Sequence, residues 1–287
     1  HSDIYACRQT GWAMLCSNSP QECMDLGAVA HLSAIKGGMP VMHFFDGFRT
    51  SHEIQKIHVW DDKALADMLD WKAVDEFRRN AMNPEHPVTR GTSENDDMFF
   101  QVNEASNSHY DAFPAVVVEY MNKVNAKIGT DYKPFNYYGA PDATEVIVAM
   151  GSVCECAEEV VDYLNAKGGK VGLVKVHLYR PFVPKFLLDV LPKTVKKISV
   201  LDRTKERGSI GEPLYLGRYG LGSKDTNPGQ IVAVYRNMES DQPKQRFTIG
   251  IDDDVTHLSL EIKENPDTTA PGTHSCKFWG LGADGTV

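Results

Sequence analysis

Two rhythms of apolar residues divide this chain. In the first part the spacing is helical: Met24, Leu26, Val29, Ala30, Leu32 and Ile35 recur behind Ser19-Pro20-Gln21-Glu22, a capping box with proline at the first helical position. Gly37-Gly38 ends that helix, and Val41-Met42-His43-Phe44-Phe45 reads as a buried strand closed by Asp46-Gly47. Together they predict a βαβ fragment. After Asp61 the pattern predicts two short helices, the first carrying Leu65, Met68 and Leu69, the second Val74 and Phe77, which stop before Asn83-Pro84. Positions 83–111, rich in Pro, Asn, Ser and Gly, predict a long loop. Val116 to Ile128, entered through Pro114, predicts a helix that ends at Gly129, and Tyr132 to Tyr138 reads as an aromatic connector.

From about Ala140 strands and helices alternate, which predicts a doubly wound parallel sheet. The strands are expected at 145–151, 171–178, 197–202 and 247–251, with helices at 153–166, 186–191 and 228–238 between them. Residues 255–275, with Pro266 and Pro271, read as an interdomain linker, and Lys277-Phe278-Trp279 begins a new strand. That strand runs into Gly280-x-Gly282-x-x-Gly285, the spacing of a phosphate-binding turn whose following helix lies beyond Val287. His1 is not an initiator methionine, so the chain is expected to be a slice of a longer protein.

A length of 287 residues suggests two domains, each able to bury a core. No stretch approaches the ~18 consecutive apolar residues of a membrane span. A net charge of -9, with acids and bases interspersed, argues against a nucleic-acid surface and for small-molecule or protein partners. The six cysteines have no repeated spacing, which points to reduced thiols. Cys154-x-Cys156 lacks the second pair that a zinc or iron-sulfur site needs.

Arg8, in Ala6-Cys7-Arg8-Gln9-Thr10-Gly11, sits among small and apolar residues, where a guanidinium needs a carboxylate or phosphate; an internal acid such as Asp3 or Asp25 is the alternative to an anionic ligand. Phe44 to Glu53 concentrates polar groups at the end of a parallel strand. A His52-Glu53 dyad fails because adjacent helical residues do not face each other, which leaves a hydrogen-bonded interface or a helix cap as the expectation. Asp46-Gly47 lacks the asparagines that would complete a thiamine-type metal motif. His43 is expected to be a satisfied core histidine. Arg180-Pro181 and Asp202-Arg203-Thr204-Lys205-Glu206 read as charged strand ends, in ion pairs or domain contacts.

These segments resemble one family. Ala-Cys-Arg-Gln-Thr-Gly at 6–11, His-Phe-Phe-Asp-Gly-Phe-Arg-Thr-Ser-His-Glu at 43–53 and Asn-Pro-Glu-His-Pro at 83–87 are similar to the first domain of pyruvate:ferredoxin oxidoreductases. Tyr-Gly-Ala-Pro-Asp-Ala at 138–143, Leu-Tyr-Arg-Pro-Phe at 178–182, Leu-Asp-Arg-Thr-Lys-Glu at 201–206 and Gly-Arg-Tyr-Gly-Leu-Gly-Ser-Lys at 217–224 resemble the second. Phe-Trp-Gly-Leu-Gly-Ala-Asp-Gly-Thr-Val at 278–287 resembles the start of the third.

The resemblance implies an α/β chain. Residues 1–139 would be the C-terminal half of a pyruvate and thiamine-diphosphate pyrimidine-type domain, 140–260 a transketolase C-terminal-like domain, and 261–287 a linker and first strand of a coenzyme A-binding domain. It implies an enzyme that oxidatively decarboxylates pyruvate on thiamine diphosphate with Mg2+, passes electrons through [4Fe-4S] clusters to ferredoxin or flavodoxin, and delivers acetyl to coenzyme A. It further implies a homodimeric parent, in the cytoplasm or in a hydrogenosome-type organelle. Arg8 would hold the pyruvate carboxylate, and Ala283, Asp284, Gly285, Thr286 and Val287 would help to bind coenzyme A.

The family's pyruvate-contacting threonine and activating glutamate would precede His1, and its cluster cysteines would follow Val287. By itself the piece is therefore expected to be inactive, with no catalytic residue, metal ligand, thiamine or cluster of its own. Leu216 runs straight into Gly217 where the family carries a helix and a strand, so a missing unit and a gap in the sheet are expected there. A fragment of a pyruvate:NADP oxidoreductase fusion and a non-catalytic α/β interaction module are the alternative readings.

Overall fold

The computed structural model describes residues 2–88, 93–204, 215–221, 225–253 and 255–276. The chain opens with α1 (Ser2–Cys7), β1 (Ala13–Cys16), α2 (Pro20–Gly37) and β2 (Val41–Phe44), followed by a 3-10 turn at Thr50–His52. Then come α3 (Asp62–Met68), α4 (Trp71–Arg79), α5 (Phe99–Ala105) and α6 (Asn107–Ile128). The second half runs β3 (Phe135–Gly139), β4 (Glu145–Ala149), α7 (Val153–Ala166), β5 (Val171–Val176), β6 (Leu178–Arg180) and α8 (Pro184–Val190). It closes with β7 (Lys197–Asp202), β8 (Tyr215–Arg218), α9 (Pro228–Glu239) and β9 (Arg246–Thr248).

The predicted βαβ fragment is β1-α2-β2, with β1 and β2 parallel from Ala13 opposite Val41 to Cys16 opposite Phe44. Ser19 caps α2 by accepting from the Glu22 amide at 3.3 Å, and Gly38 leaves the helix in the left-handed region at φ 60. The Glu22 carboxylate does not return to Ser19 as a capping box would have it. It accepts from the Asn18 amide at 2.7 Å, one residue further out.

The second sheet runs β3-β5-β4-β7-β8-β9. Its five parallel strands follow the doubly wound order in which β4 starts the sheet, β5 is added on one side and β7, β8 and β9 on the other. β3 completes one edge antiparallel to β5, so part of the aromatic connector is a strand. Fold class and sheet type are thus α/β as expected, but strand ownership crosses the boundary at 139/140. β3 belongs to the second sheet, while β6 pairs antiparallel with β1 of the first. The single strand expected at 171–178 breaks at buried His177. That residue's amide donates to the Pro134 carbonyl at 3.0 Å and its own carbonyl accepts from the Cys16 amide at 2.7 Å, which hands the chain from one sheet to the other.

Two further expectations are corrected. The loop expected at 83–111 is helical from Phe99, and α6 runs through Pro114 instead of starting after it. The lost backbone bond is tolerated because Phe113 and Val117, 1% and 2% exposed, bury the helix against α2 on either side of the proline. The gap expected at Leu216–Gly217 is absent from the ladder. Leu216 stands opposite Val200, Gly217 opposite Leu201 and Phe247, and Arg218 opposite Asp202, so residues from both sides of that joint form one strand bonded on both edges.

Three apolar clusters hold the layers. α2, α3 and α6 cover one face of the first sheet around Leu15, Leu26, Val29, Tyr120 and Met121. α7 and α9 cover one face of the second around Ile147, Leu173, Val160, Ile231 and Phe247. The third cluster joins the two sheets: Met14 and Cys16 of β1 and Phe44 of β2 pack with Val146, Val148, Val174 and Val176. β1 is therefore buried on both faces, which explains a four-residue strand without a polar position. The strand expected at 277–279 lies outside the described residues.

Candidate functional site

The carboxyl ends of both sheets meet, and a polar node fills the junction. Asp46, just past β2, is 1% exposed. Its Oδ2 accepts from the Ser152 amide at 3.0 Å and from the Ser152 hydroxyl at 2.5 Å, at the N-terminus of α7. Arg203, just past β7, lies 3.2 Å from the same oxygen and donates to the Gly47 carbonyl at 3.0 Å. Arg49 pairs with Asp225 at 3.2 Å. The interface expected for residues 44–53 is thus present, and Arg203 is a contact between the two sheets.

The second arm of the node starts at Asn18, after β1. Its side-chain oxygen accepts from the Gly151 amide at 2.8 Å, and its amide nitrogen lies 3.1 Å from His177 Nε2. His177 Nε2 is 3.3 Å from Glu22 Oε2, and its Nδ1 is 2.9 Å from the Lys133 carbonyl. Burial alone would raise the Glu22 carboxyl, but His177, the Asn18 amide and Lys175 outweigh it and hold the group below the ordinary carboxylate range. These partners escaped sequence reasoning because 159 positions separate Asn18 from His177. The one readable signal was a Gly-Ser pair closing a parallel strand at Gly151-Ser152.

His43 is half-buried, and its Nε2 lies 2.7 Å from Ser17 Oγ. Burial and the neighbouring His31 lower its pKa to about 4, so the ring is neutral at physiological pH. His52 meets Ser51 at 2.9 Å, and no His52-Glu53 dyad forms. Glu53 Oε2 is buried without a hydrogen-bond partner among the described residues.

Glu155, in the first turn of α7, has its pKa pushed up to about 7 by burial, then by Glu53 and Glu22. The folded chain then keeps a proton that the unfolded chain releases between pH 4.5 and 7, so this group's contribution is full at low pH and lost as pH rises. Glu155→Gln should therefore match the parent near pH 4.5 and exceed it at pH 8 by about 1 kcal/mol after allowing for solvent screening. Urea unfolding at both pH values checks this. Equal stability at pH 8 would contradict it.

Arg8 follows α1. Its Nη1 donates to the Tyr5 carbonyl at 2.6 Å, and the guanidinium lies over the Tyr5 ring at 5.6 Å. Tyr5 stands 6.0 Å from the ring of Tyr179, over which Arg180 lies at 5.3 Å. Of the two internal acids considered for Arg8, Asp25 is engaged elsewhere, where it accepts from Tyr132 and Gln21. The coenzyme A candidates Ala283, Asp284, Gly285, Thr286 and Val287 and the glycine turn lie outside the described residues, as do Lys205 and Glu206. Among the described residues no three His, Cys, Asp or Glu side chains converge as a metal site, and no helix is long and apolar enough to cross a membrane. Cys154 is sealed in the core, where burial pushes its thiol well up, and Cys156 is raised to about 12. Two cysteines without a converging third ligand among the described residues are fewer than a cluster needs.

Fold and node define a pair of α/β units, each a mainly parallel sheet with one antiparallel edge strand, whose strand carboxyl ends meet. Residues 1–122 match the family profile described as pyruvate flavodoxin/ferredoxin oxidoreductase, thiamine diphosphate-binding, and residues 143–218 match pyruvate:ferredoxin oxidoreductase core domain II. The chain belongs to the pyruvate flavodoxin/ferredoxin oxidoreductase family. All of it is 54% identical to a pyruvate-flavodoxin oxidoreductase of Enterobacter agglomerans and 54% identical to a pyruvate:ferredoxin oxidoreductase of Moorella thermoacetica, and it spans 26% of each. It is also 46% identical to the mitochondrial pyruvate dehydrogenase [NADP(+)] of Euglena gracilis, of which it spans 17%. The chain thus covers about a quarter of the length of its bacterial relatives.

Proposed function

We propose that this chain is part of a pyruvate:ferredoxin (flavodoxin) oxidoreductase, which oxidatively decarboxylates pyruvate with coenzyme A to acetyl-CoA and CO2 and passes the electrons to ferredoxin or flavodoxin. The carrying observation is 54% identity over every residue of the chain to relatives of that name. The lower identity to the NADP-dependent relative makes that fusion the second reading.

In this assignment residues 1–139 are the C-terminal half of the pyrimidine-type domain, 140–260 the transketolase C-terminal-like domain, and 261–287 the linker and start of the coenzyme A domain. Profile matches that fall on either side of 139/140 support the division. Alignments of 304 to 305 residues against a chain of 287 support the reading that relatives carry an extra unit that this chain lacks. Arg8 holds the substrate carboxylate, and Ala283 to Val287 contribute to coenzyme A binding. The clusters and the thiamine diphosphate with Mg2+ belong to other parts of the parent, which would act as a homodimer.

The test is the complete coding sequence expressed anaerobically. Pyruvate- and coenzyme A-dependent reduction of ferredoxin or flavodoxin is expected; reduction of NADP instead favours the fusion. The 287-residue chain alone should show neither cluster absorbance nor pyruvate-dependent electron transfer after reconstitution. Activity in that piece would overturn the assignment of roles.

A further inference from the structure

A doubly wound sheet ordinarily takes its ligand at the switch point, where neighbouring strands lead to crossovers on opposite sides. In the second sheet that point lies between the carboxyl ends of β4 and β7, because β5 is added beyond β4 and β7 on the other side. The chain there has the parts of an anion cradle. Gly151 adopts φ +84, the following Ser152 amide opens α7, and Arg203 supplies a cation after β7. The cradle already holds an anion, the Asp46 carboxylate delivered from the end of β2. Contact is so close that a Cβ on Gly151 would stand 2.3 Å from Asp46 Oδ1. Among the described residues the space left beside it, between Arg49, Ser152, Cys156, Arg203 and Gly220, is about 30 Å3, room for no more than a water molecule.

We propose that Asp46 acts as a built-in ligand: its carboxylate fills the switch-point cradle of the second unit, closes that unit's ligand crevice, and fixes the first unit's strand-end loop on it. At its switch point the second unit is then a docking platform and not a ligand site. Burial supports this reading, since a carboxylate removed from water persists only where charge-assisted partners replace its hydration. The Arg203 bond to Gly47 and the Arg49 bond to Asp225 tie the same loop on either side of the carboxylate.

The test is chemical rescue in the 287-residue chain. Asp46→Ala vacates a carboxylate-sized space and should lower the melting temperature by about 5–10 °C. Potassium formate should restore at least half of that loss, and potassium chloride at the same ionic strength should not. The parent chain should respond to the two salts alike. Rescue no better than chloride, or a variant that melts with the parent, overturns the proposal. If Asp46→Ala does not fold, Asp46→Asn carries the test, because it keeps the shape and loses the charge. It must melt lower and exchange the amides of Gly151 to Val153 faster, and parental values for both would refute the built-in ligand.

Discussion

Gly151→Ala should cost about 3–5 kcal/mol, a large share of the ~5–15 kcal/mol that holds a typical folded domain together. Two separable penalties combine. At φ +84 any side chain is strained, which for L residues costs about 1–2 kcal/mol. The new methyl would also stand 2.3 Å from Asp46 Oδ1 and 2.9 Å from its carboxyl carbon, so the carboxylate must leave its Ser152 and Arg203 partners. Gly38 separates the two effects: it has φ +60, and a methyl group there would meet nothing within 4 Å, so Gly38→Ala should cost only about 1 kcal/mol. Urea unfolding of both variants gives the comparison. Similar losses for the two would mean that backbone strain explains everything and that the node contributes nothing at Gly151.

The helices and the parallel sheet were legible because their signals are local. Ser19-Pro20 and Gly37-Gly38 mark both ends of α2, and Val153 to Ala166 matches α7 to the residue. Features decided by distant partners were not legible. β1 is four apolar residues with no flanking pattern, and only its place as the central strand of the first sheet, with helices on one face and the second sheet on the other, makes Ala13-Met14-Leu15-Cys16 a strand. Pro114 looked like a helix start because its missing donor is a local fact, while the packing that carries α6 through it comes from α2.

The candidate site divides in the same way. Asp46 is visible as a polar residue at a strand end, in a segment whose expected use is a hydrogen-bonded interface or a helix cap. Its partners Ser152 and Arg203 lie 106 and 157 positions away, where no periodicity could link them. The expected ladder gap failed for a further physical reason. A strand is defined by its bonded neighbours, so any segment able to pair with both β7 and β9 fills the slot, whichever side of the joint its residues come from.

In the complete enzyme, Arg8→Ala should reduce kcat/KM for pyruvate by on the order of 10²–10³-fold, which corresponds to about 3–4 kcal/mol of lost transition-state binding. A loss of that size follows from the proposed substrate role and from how the arginine is held. Its Nη1 bond to the Tyr5 carbonyl and its stacking on the Tyr5 ring restrain the guanidinium before a substrate arrives, so little orientation remains to be lost on binding. Tyr5 is itself fixed against Tyr179 and packs with the cluster between the two sheets, which couples the position of Arg8 to the docking of the units. Arg8→Lys keeps the charge but not the planar fork, and should recover only part of the loss. Tyr5→Ala should raise KM for pyruvate by less than Arg8→Ala does, since it removes the ring beneath the guanidinium and leaves the charge and the bond to the backbone carbonyl. Arg8 is only half-buried, so its removal should leave far-UV dichroism and the cluster spectrum unchanged, which separates a substrate role from a folding role. Parental kcat/KM in Arg8→Ala would remove the substrate role and leave Arg8 as a stacking partner of Tyr5.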